Sequence, residues 1–362
     1  MASLTSNKEG NVIQVSFMDE IRQQPDALRR FVELAFTETE LQDSLKYLMK
    51  SKKNPHVVLT GMGSSLFVCY IAMRILQEKG ILASTIESYE LQAMDSHFFT
   101  EDVIVVAVSQ SGESPEVLEL IYKLPQNIPV IAVTNYPKSH LYTMTPMAGG
   151  IYAGTEYLTS TKSYTNSLAA ILLLAYRLAG CCDGDMAWLH QQLEQCAGKM
   201  EALIADERIG TEIANFITDI KFIVFVGSGY SYTTACHSEI VAEEAGKFHS
   251  SCFTPAQFIH GPIELIYKDF GTVIYDFDRN YSDKCDHVRD SVLEYGGKVL
   301  LITNRTDVEE RENQMIHVIE HEDPKTATLL EVIPLELGID SLCKSRGVAA
   351  GRISRVVKRM AN

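Results

Sequence analysis

The chain has 362 residues, 46% of them hydrophobic, and a formal net charge of −15. That length and apolar content suffice for two buried cores. The acidic balance excludes nucleic acid and an anionic membrane surface as partners, because a phosphate-rich partner needs a basic face. No apolar run approaches the ~20 residues that cross a bilayer, and the N-terminus lacks the apolar core of a signal peptide. The eight cysteines show neither C-x-x-C spacing nor clustering with histidine. The expectation is a cytoplasmic protein with reduced thiols and no metal centre.

In chain order, residues 1–41 read as a helical lead, its amphipathic stretch from Phe17 to Phe36 interrupted at Gln24-Pro25-Asp26. Residues 42–182 form the first expected domain. Its first strand pattern, Val57-Val58-Leu59-Thr60, runs into Gly61-Met62-Gly63-Ser64-Ser65. The glycines let backbone approach a ligand, and the serines offer hydroxyls at a helix start. A dinucleotide fingerprint fails here, because its third glycine position is Leu66.

Val103 to Val108 is an unbroken apolar run, the pattern of a parallel strand buried on both faces. It breaks into Ser109-Gln110-Ser111-Gly112-Glu113-Ser114, and Pro115 opens a helical pattern with Ser114 as its N-cap. Hydroxyls, first-turn N–H groups and the positive helix end suit a phosphate monoester. Taken alone, the turn also reads as an ordinary strand-to-helix connection rich in Ser and Gly. Further on, Ala153-Gly154-Thr155-Glu156 and Ser160-Thr161-Lys162-Ser163 precede an apolar helix from Ser167 to Leu178. They read as a ligand loop, or as a helix cap with a surface Glu–Lys pair.

Residues 183–210 have helical spacing (Met186, Leu189, Leu193, Cys196, Met200) and connect to a second domain, residues 211–362. That domain repeats the first: Gly61-Met62-Gly63 matches Gly227-Ser228-Gly229 at an offset of 166, and Thr134-Asn135 matches Thr303-Asn304 at 169. Repeats of this length are duplicated domains. Strands alternating with amphipathic helices give an α/β fold of two doubly wound parallel sheets, flavodoxin-like, with ligands beyond the carboxyl ends of the strands. Where the first half has its serine turn, the second has Asp276-Phe277-Asp278-Arg279-Asn280, two aspartates that would repel phosphate. One phosphate site per chain is expected, in the first half.

The reactive groups of the second half are Glu244, near the end of a helical stretch from Thr233 to Lys247, and His260, just before Gly261-Pro262. A carboxylate near sugar hydroxyls is a base for moving a proton between adjacent carbons. A histidine at a helix start is held neutral and able to accept a proton. On composition alone, Glu244 equally reads as a surface glutamate and His260 as a capping residue.

GMGSS, SQSGES, AGTE followed by STKSYT, and a glutamate sixteen residues before His-Gly-Pro together resemble the double sugar-isomerase (SIS) domain family. Within it the chain looks most like the isomerase half of the glucosamine-6-phosphate synthases, from about residue 20 onward and without their glutaminase domain. The resemblance implies two tandem SIS domains and a phosphate clamp of Ser109, Gln110, Ser111 and Ser114 with Ser65 alongside. It further implies a sugar-contacting loop at Leu158 and Ser160, Glu244 as isomerisation base, His260 as ring-opening residue and Lys358 as Schiff-base lysine. No metal or organic cofactor is implied, and the partners are a small sugar phosphate and a second copy of the chain in a homodimer with shared sites. Two departures stand out: the tail Ile353-Ser354-Arg355-Val356-Val357-Lys358 matches the family motif only in part, and Val241 replaces a lysine that the synthases carry. Deglycases of the family also lack that lysine. The expected function is therefore a phosphosugar-processing enzyme, acting by isomerisation, deamination or aminotransferase-like chemistry on an amino-sugar or fructose-amine 6-phosphate. A fructosamine-6-phosphate deglycase and a non-catalytic sugar-phosphate sensor remain as alternatives.

Overall fold

The computed structural model describes residues 3–6 and 12–353. Strands β1 (Ser3–Ser6) and β2 (Val12–Val15) form a small antiparallel ladder. The first large sheet contains β3 (His56–Thr60), β4 (Leu82–Thr85), β5 (Val103–Val108), β6 (Val130–Thr134) and β7 (Met147–Gly150), ordered β4-β3-β5-β6-β7. The second contains β8 (Phe222–Gly227), β9 (His249–Phe253), β10 (Phe270–Asp276), β11 (Lys298–Thr303) and β12 (Gln314–Val318), ordered β9-β8-β10-β11-β12. Every pairing in both sheets is parallel. The two orders are the same once each sheet is counted from its own first strand, so the repeat seen in the sequence is a repeat of topology.

The composition of the strands follows from their place in the sheet. Every residue of β5, β6 and β10 is buried; helices cover both faces of a parallel sheet, so its central strands need no polar alternation. The edge strands β4 and β7 are largely half-buried and poorer in branched apolar residues. Val58, Val105, Ala107, Val117, Leu120 and Leu141 pack together in the first core. In the second core, Val224, Val226 and Ile274 pack with Phe258, Val288 and Val292.

The described chain divides into two compact units. One holds the first sheet, with residues from Gln24 to Glu156 and from Ser160 to Ala197. The other holds the second sheet, the residues before Gln24, the short stretch Tyr157–Thr159 and the chain from Gly198. The N-terminal lead is thus split: the helix Phe17–Arg22 goes with the second sheet and Gln24–Ala35 with the first. The interruption expected at Gln24-Pro25-Asp26 is this break between two helices.

The apolar helix begins five residues earlier than its apolar pattern shows, running from Lys162 to Leu178. Its polar first turns are buried because partners await them. Asn166 donates to the carbonyls of Ala27 (2.8 Å) and Ile151 (3.0 Å). Nearer its end, Arg177 meets Glu38 at 3.1 Å.

Candidate functional site

In a doubly wound sheet, ligands bind in the crevice where the strand order reverses. In the first sheet that point lies between β3 and β5, beyond whose ends stand Gly61-Met62-Gly63-Ser64-Ser65 and the serine turn. Gly61 is needed there: a Cβ would come 2.9 Å from both the Val108 carbonyl oxygen and the Ser65 carbonyl carbon. Half-buried Ser65 lies in the first turn of the helix Ser64–Glu78.

The serine turn is closed by its own atoms. Ser109, 2% exposed, stands with its Oγ 3.1 Å from Ser114 Oγ and accepts from the Gly112 N–H at 3.1 Å. Ser111 Oγ accepts from the Glu113 N–H at 3.1 Å. Gly112 has φ of +65°, a left-handed conformation, and a side chain there would collide with Ser139. The helix Pro115–Lys123 follows with Ser114 at its N-cap, and the Ser114 hydroxyl makes no capping bond. The first-turn N–H groups therefore stay uncapped by that side chain.

Gln110 gives its carbonyl to the Asn135 N–H at 3.1 Å, while its side-chain Nε2 is buried with no hydrogen-bond partner. A buried donor left without an acceptor is costly unless a ligand or water supplies one. Glu113, the one acid in the turn, is engaged by His140, whose backbone N–H and Nδ1 lie 3.0 and 2.6 Å from its two oxygens.

Ser160, half-buried, precedes the start of the helix Lys162–Leu178. That start is organised by Glu156, which is fully buried. One Glu156 oxygen accepts from the Thr161 N–H (3.0 Å), Thr161 Oγ1 (3.3 Å) and the Ser163 N–H (3.1 Å); the other accepts from Ser163 Oγ. A carboxylate here answers both the orphan N–H groups and the positive helix end. Sequence reasoning left Glu156 between a ligand loop and a surface pair; the structure makes it the buried anchor of the Ser160 loop.

The unit of the second sheet carries Leu158, Glu244 and His260. The Leu158 side chain is buried, and its N–H donates at 3.1 Å to Glu20, a buried carboxylate that also accepts from the Tyr157 N–H at 2.6 Å. Sequence reasoning missed Glu20, and only a lone acid on an otherwise apolar helix face signals it. Glu244 is the last residue of the helix Ser231–Glu244 and is half-buried. Its carbonyl accepts from Lys247 Nζ, which also reaches the Arg352 carbonyl at 2.9 Å. Val241, one turn earlier, is fully buried.

His260 is exposed and closes the five-residue helix Pro255–Ile259, its N–H bonded to the Gln257 carbonyl at 3.2 Å. The Gly261-Pro262 step after it opens only a four-residue 3-10 turn. His260 therefore stands at a helix end rather than at the helix start its Gly-Pro neighbour suggests. Lys358 lies outside the described residues.

The second sheet has its own switch point, and there the two aspartates behave differently from bare repulsion. Asp276 pairs with Thr303 in register, as Ser109 stands level with Thr134, so Asp276 occupies the place of Ser109. It is buried, bonded to Arg305 at 2.9 Å and to Ser282 Oγ at 2.8 Å. Burial pushes its carboxyl up from the ordinary range, against the pull of Arg305 and Ser282. The place is filled by an internal ion pair. Asp278 is occupied in its turn by Asn280, at 3.0 Å from the backbone N–H and 2.9 Å from the side chain.

Deeper in this unit, Glu331 is fully buried, accepting from Ser231 Oγ at 2.7 Å on one oxygen and nothing on the other. Burial pushes its carboxyl up to about 7. Among the described residues no group of three or more His, Cys, Asp or Glu could hold a metal ion, and no helix is long and apolar enough to cross a membrane.

The SIS domain family model matches residues 49–177 and 216–337, one copy on each sheet. The chain belongs to the SIS domain family. A glutamine–fructose-6-phosphate aminotransferase (isomerizing) of Shewanella oneidensis is 25% identical over 338 residues, covering 88% of this chain and 54% of that protein. The chain thus spans about half the length of the curated relatives it matches. The C-terminal domain of glucosamine-fructose-6-phosphate aminotransferase from Francisella tularensis superposes with a TM-score of 0.83 at 24% identity, covering 96% of this chain and all of that one. Tagatose-6-phosphate ketose/aldose isomerase from Escherichia coli gives 0.77 at 16% identity, covering 99% of each chain. Glucosamine-6-phosphate deaminase from Thermotoga maritima gives 0.73 at 17%, covering 95% and 99%. At these identities the solved structures establish the fold of two tandem SIS domains.

Proposed function

We propose that this SIS protein is an enzyme that processes a phosphorylated sugar, an amino-sugar 6-phosphate or a fructose-amine 6-phosphate. The observation that carries the reading is the serine turn: three hydroxyls, a helix start and the unpartnered Gln110 amide at a sheet's switch point. Those groups suit a phosphate monoester. The names of three of the relatives, a glutamine–fructose-6-phosphate aminotransferase, a glucosamine-6-phosphate deaminase and a tagatose-6-phosphate ketose/aldose isomerase, support the same substrate class.

In this reading Ser109, Gln110, Ser111 and Ser114, with Ser65, hold the phosphate, and Leu158 and Ser160 border the sugar. Glu244 carries a proton between C1 and C2. His260, with its side chain exposed and in no described hydrogen bond, opens the ring or protonates a leaving nitrogen. Lys358 holds the ketose as an imine. The protein acts as a homodimer.

Deglycation of a fructosamine 6-phosphate is the second reading, favoured by the buried apolar Val241 where a lysine would change the charge near the base. The test is incubation with glucosamine 6-phosphate, fructose 6-phosphate and a panel of fructosamine 6-phosphates, reading ammonia, free amine and hexose phosphate. Borohydride added with substrate traps an adduct on Lys358 if the imine forms; turnover of fructosamine 6-phosphate without an adduct selects deglycation. Failure of every 6-phosphosugar to bind in calorimetry would overturn both readings.

A further inference from the structure

Cys236 lies on the inner face of the helix Ser231–Glu244, 2% exposed, and Cys252 lies on the adjoining strand β9, half-buried. Their sulfurs are 3.4 Å apart, the Cys252 S–H donating to Cys236. All eight cysteines lie outside any disulfide. A disulfide needs its sulfurs at about 2 Å, so rotation about the two Cα–Cβ bonds and a shift of the strand against the helix on the order of 1 Å would close it. The position is pointed. Glu244 is eight residues beyond Cys236, and His260 is eight beyond Cys252. A bond between the cysteines would close a loop with Glu244 inside it and fix the strand that leads to His260.

We propose that Cys236 and Cys252 form a reversible disulfide, made by exchange with a low-molecular-weight disulfide, which ties β9 to the helix that ends at Glu244. The Cys252 thiolate, the more accessible, attacks the small disulfide and expels one thiolate. The Cys236 thiolate then attacks Cys252 Sγ and expels the other. Two electrons pass from the protein sulfurs to the oxidant, which leaves as two thiols with the two protons. The hydrogen bond to Cys236, together with burial, pushes the Cys252 thiol up from its ordinary range. Exchange is accordingly slow at neutral pH, a response to sustained oxidation.

The existence of the bond stands on geometry alone; its consequence for turnover rests on the function proposed above. The experiment incubates the full chain with oxidised glutathione, alkylates the remaining thiols and maps cross-linked peptides by mass spectrometry. The expected result is one dominant cross-link, Cys236 to Cys252, removed by dithiothreitol and missing from both Cys252→Ser and Cys252→Ala. Oxidised enzyme is expected to lose hexose 6-phosphate turnover about tenfold to a hundredfold, the scale of an ångström's misplacement, and to regain it on reduction. The Cys252 variants should keep their turnover in oxidant. Recovery of both residues as alkylated free thiols, or cross-linking through other cysteines instead, overturns the proposal whether or not the protein is active. A cross-link formed in a protein that turns over no 6-phosphosugar in either state leaves the bond standing and counts against the proposed function.

Discussion

Replacing Glu156 tests the claim that one buried carboxylate organises the loop carrying Ser160. Four donors converge on it, two of them the backbone N–H groups of Thr161 and Ser163. In Glu156→Ala the hydroxyls can turn to other acceptors, but the N–H groups cannot. Two stranded buried donors cost about 1–3 kcal/mol each, and removing a desolvated charge returns part of that. The expected net loss is about 3 kcal/mol. Glu156→Gln keeps an oxygen for three of the four bonds and places its amide opposite the Ser163 hydroxyl, which can reverse its role, so about 1 kcal/mol is expected. The only tryptophan, Trp188 in the helix Asp183–Ala205, stacks on Tyr176 of the helix Lys162–Leu178, with ring centroids 6.4 Å apart, so its fluorescence reports on the element that Glu156 caps. With a urea m-value of about 1–3 kcal/mol per molar, the Ala midpoint should fall by about 1 M or more and the Gln midpoint by less than half as much. Equal midpoints for wild type and Glu156→Ala would refute the anchoring role.

Three further outcomes are expected. Ser111→Ala and Ser114→Ala should each weaken 6-phosphosugar binding by about 1–3 kcal/mol, read by calorimetry; unchanged affinity in both removes the clamp. Glu244→Gln should bind substrate normally and turn over about 10²–10⁴-fold more slowly; a wild-type rate makes Glu244 a bystander. Glu331, whose folded carboxyl is raised from the ordinary 4.5 to about 7, binds more protons folded than unfolded in that window, so its contribution to stability is lost as pH rises from 4.5 through 7. Urea midpoints of wild type and Glu331→Gln should diverge across that range in favour of the variant, by on the order of 3 kcal/mol; parallel pH profiles would show that burial does not hold the proton on.

The sheets were legible because their signal is local: β5 and β6 are unbroken apolar runs, and the Gly61/Gly227 and Thr134/Thr303 pairs mark the same strand ends twice. The serine turn was legible for a related reason, since the residues that shape it are consecutive. Glu20 and Glu156 were not: Glu20 serves backbone N–H groups of a distant segment, Glu156 serves those of the helix start just after it, and in sequence a buried acid looks like an exposed one. The early start of the helix Lys162–Leu178 was hidden likewise: its first residues are polar, and only their partners make them core. For His260, a Gly-Pro step marks a start of helix without saying whether one short 3-10 turn or a long helix follows.

The buried pair of Asp276 and Arg305 has a bearing on how the two halves of the chain can change. A serine at position 276 removes one of two partners at 2.9 Å from the Arg305 guanidinium, 8% exposed, which keeps Asp286. Removing Arg305 first leaves a desolvated carboxylate. That step carries the penalty of an unmatched buried charge, about 3–5 kcal/mol, whereas a change at position 276 first leaves the guanidinium on Asp286. The order of substitution therefore matters: the plugged turn can open through position 276 first, while loss of Arg305 first is strongly destabilising. Duplication supplied two equivalent crevices; this ion pair sets the order in which the second could reopen.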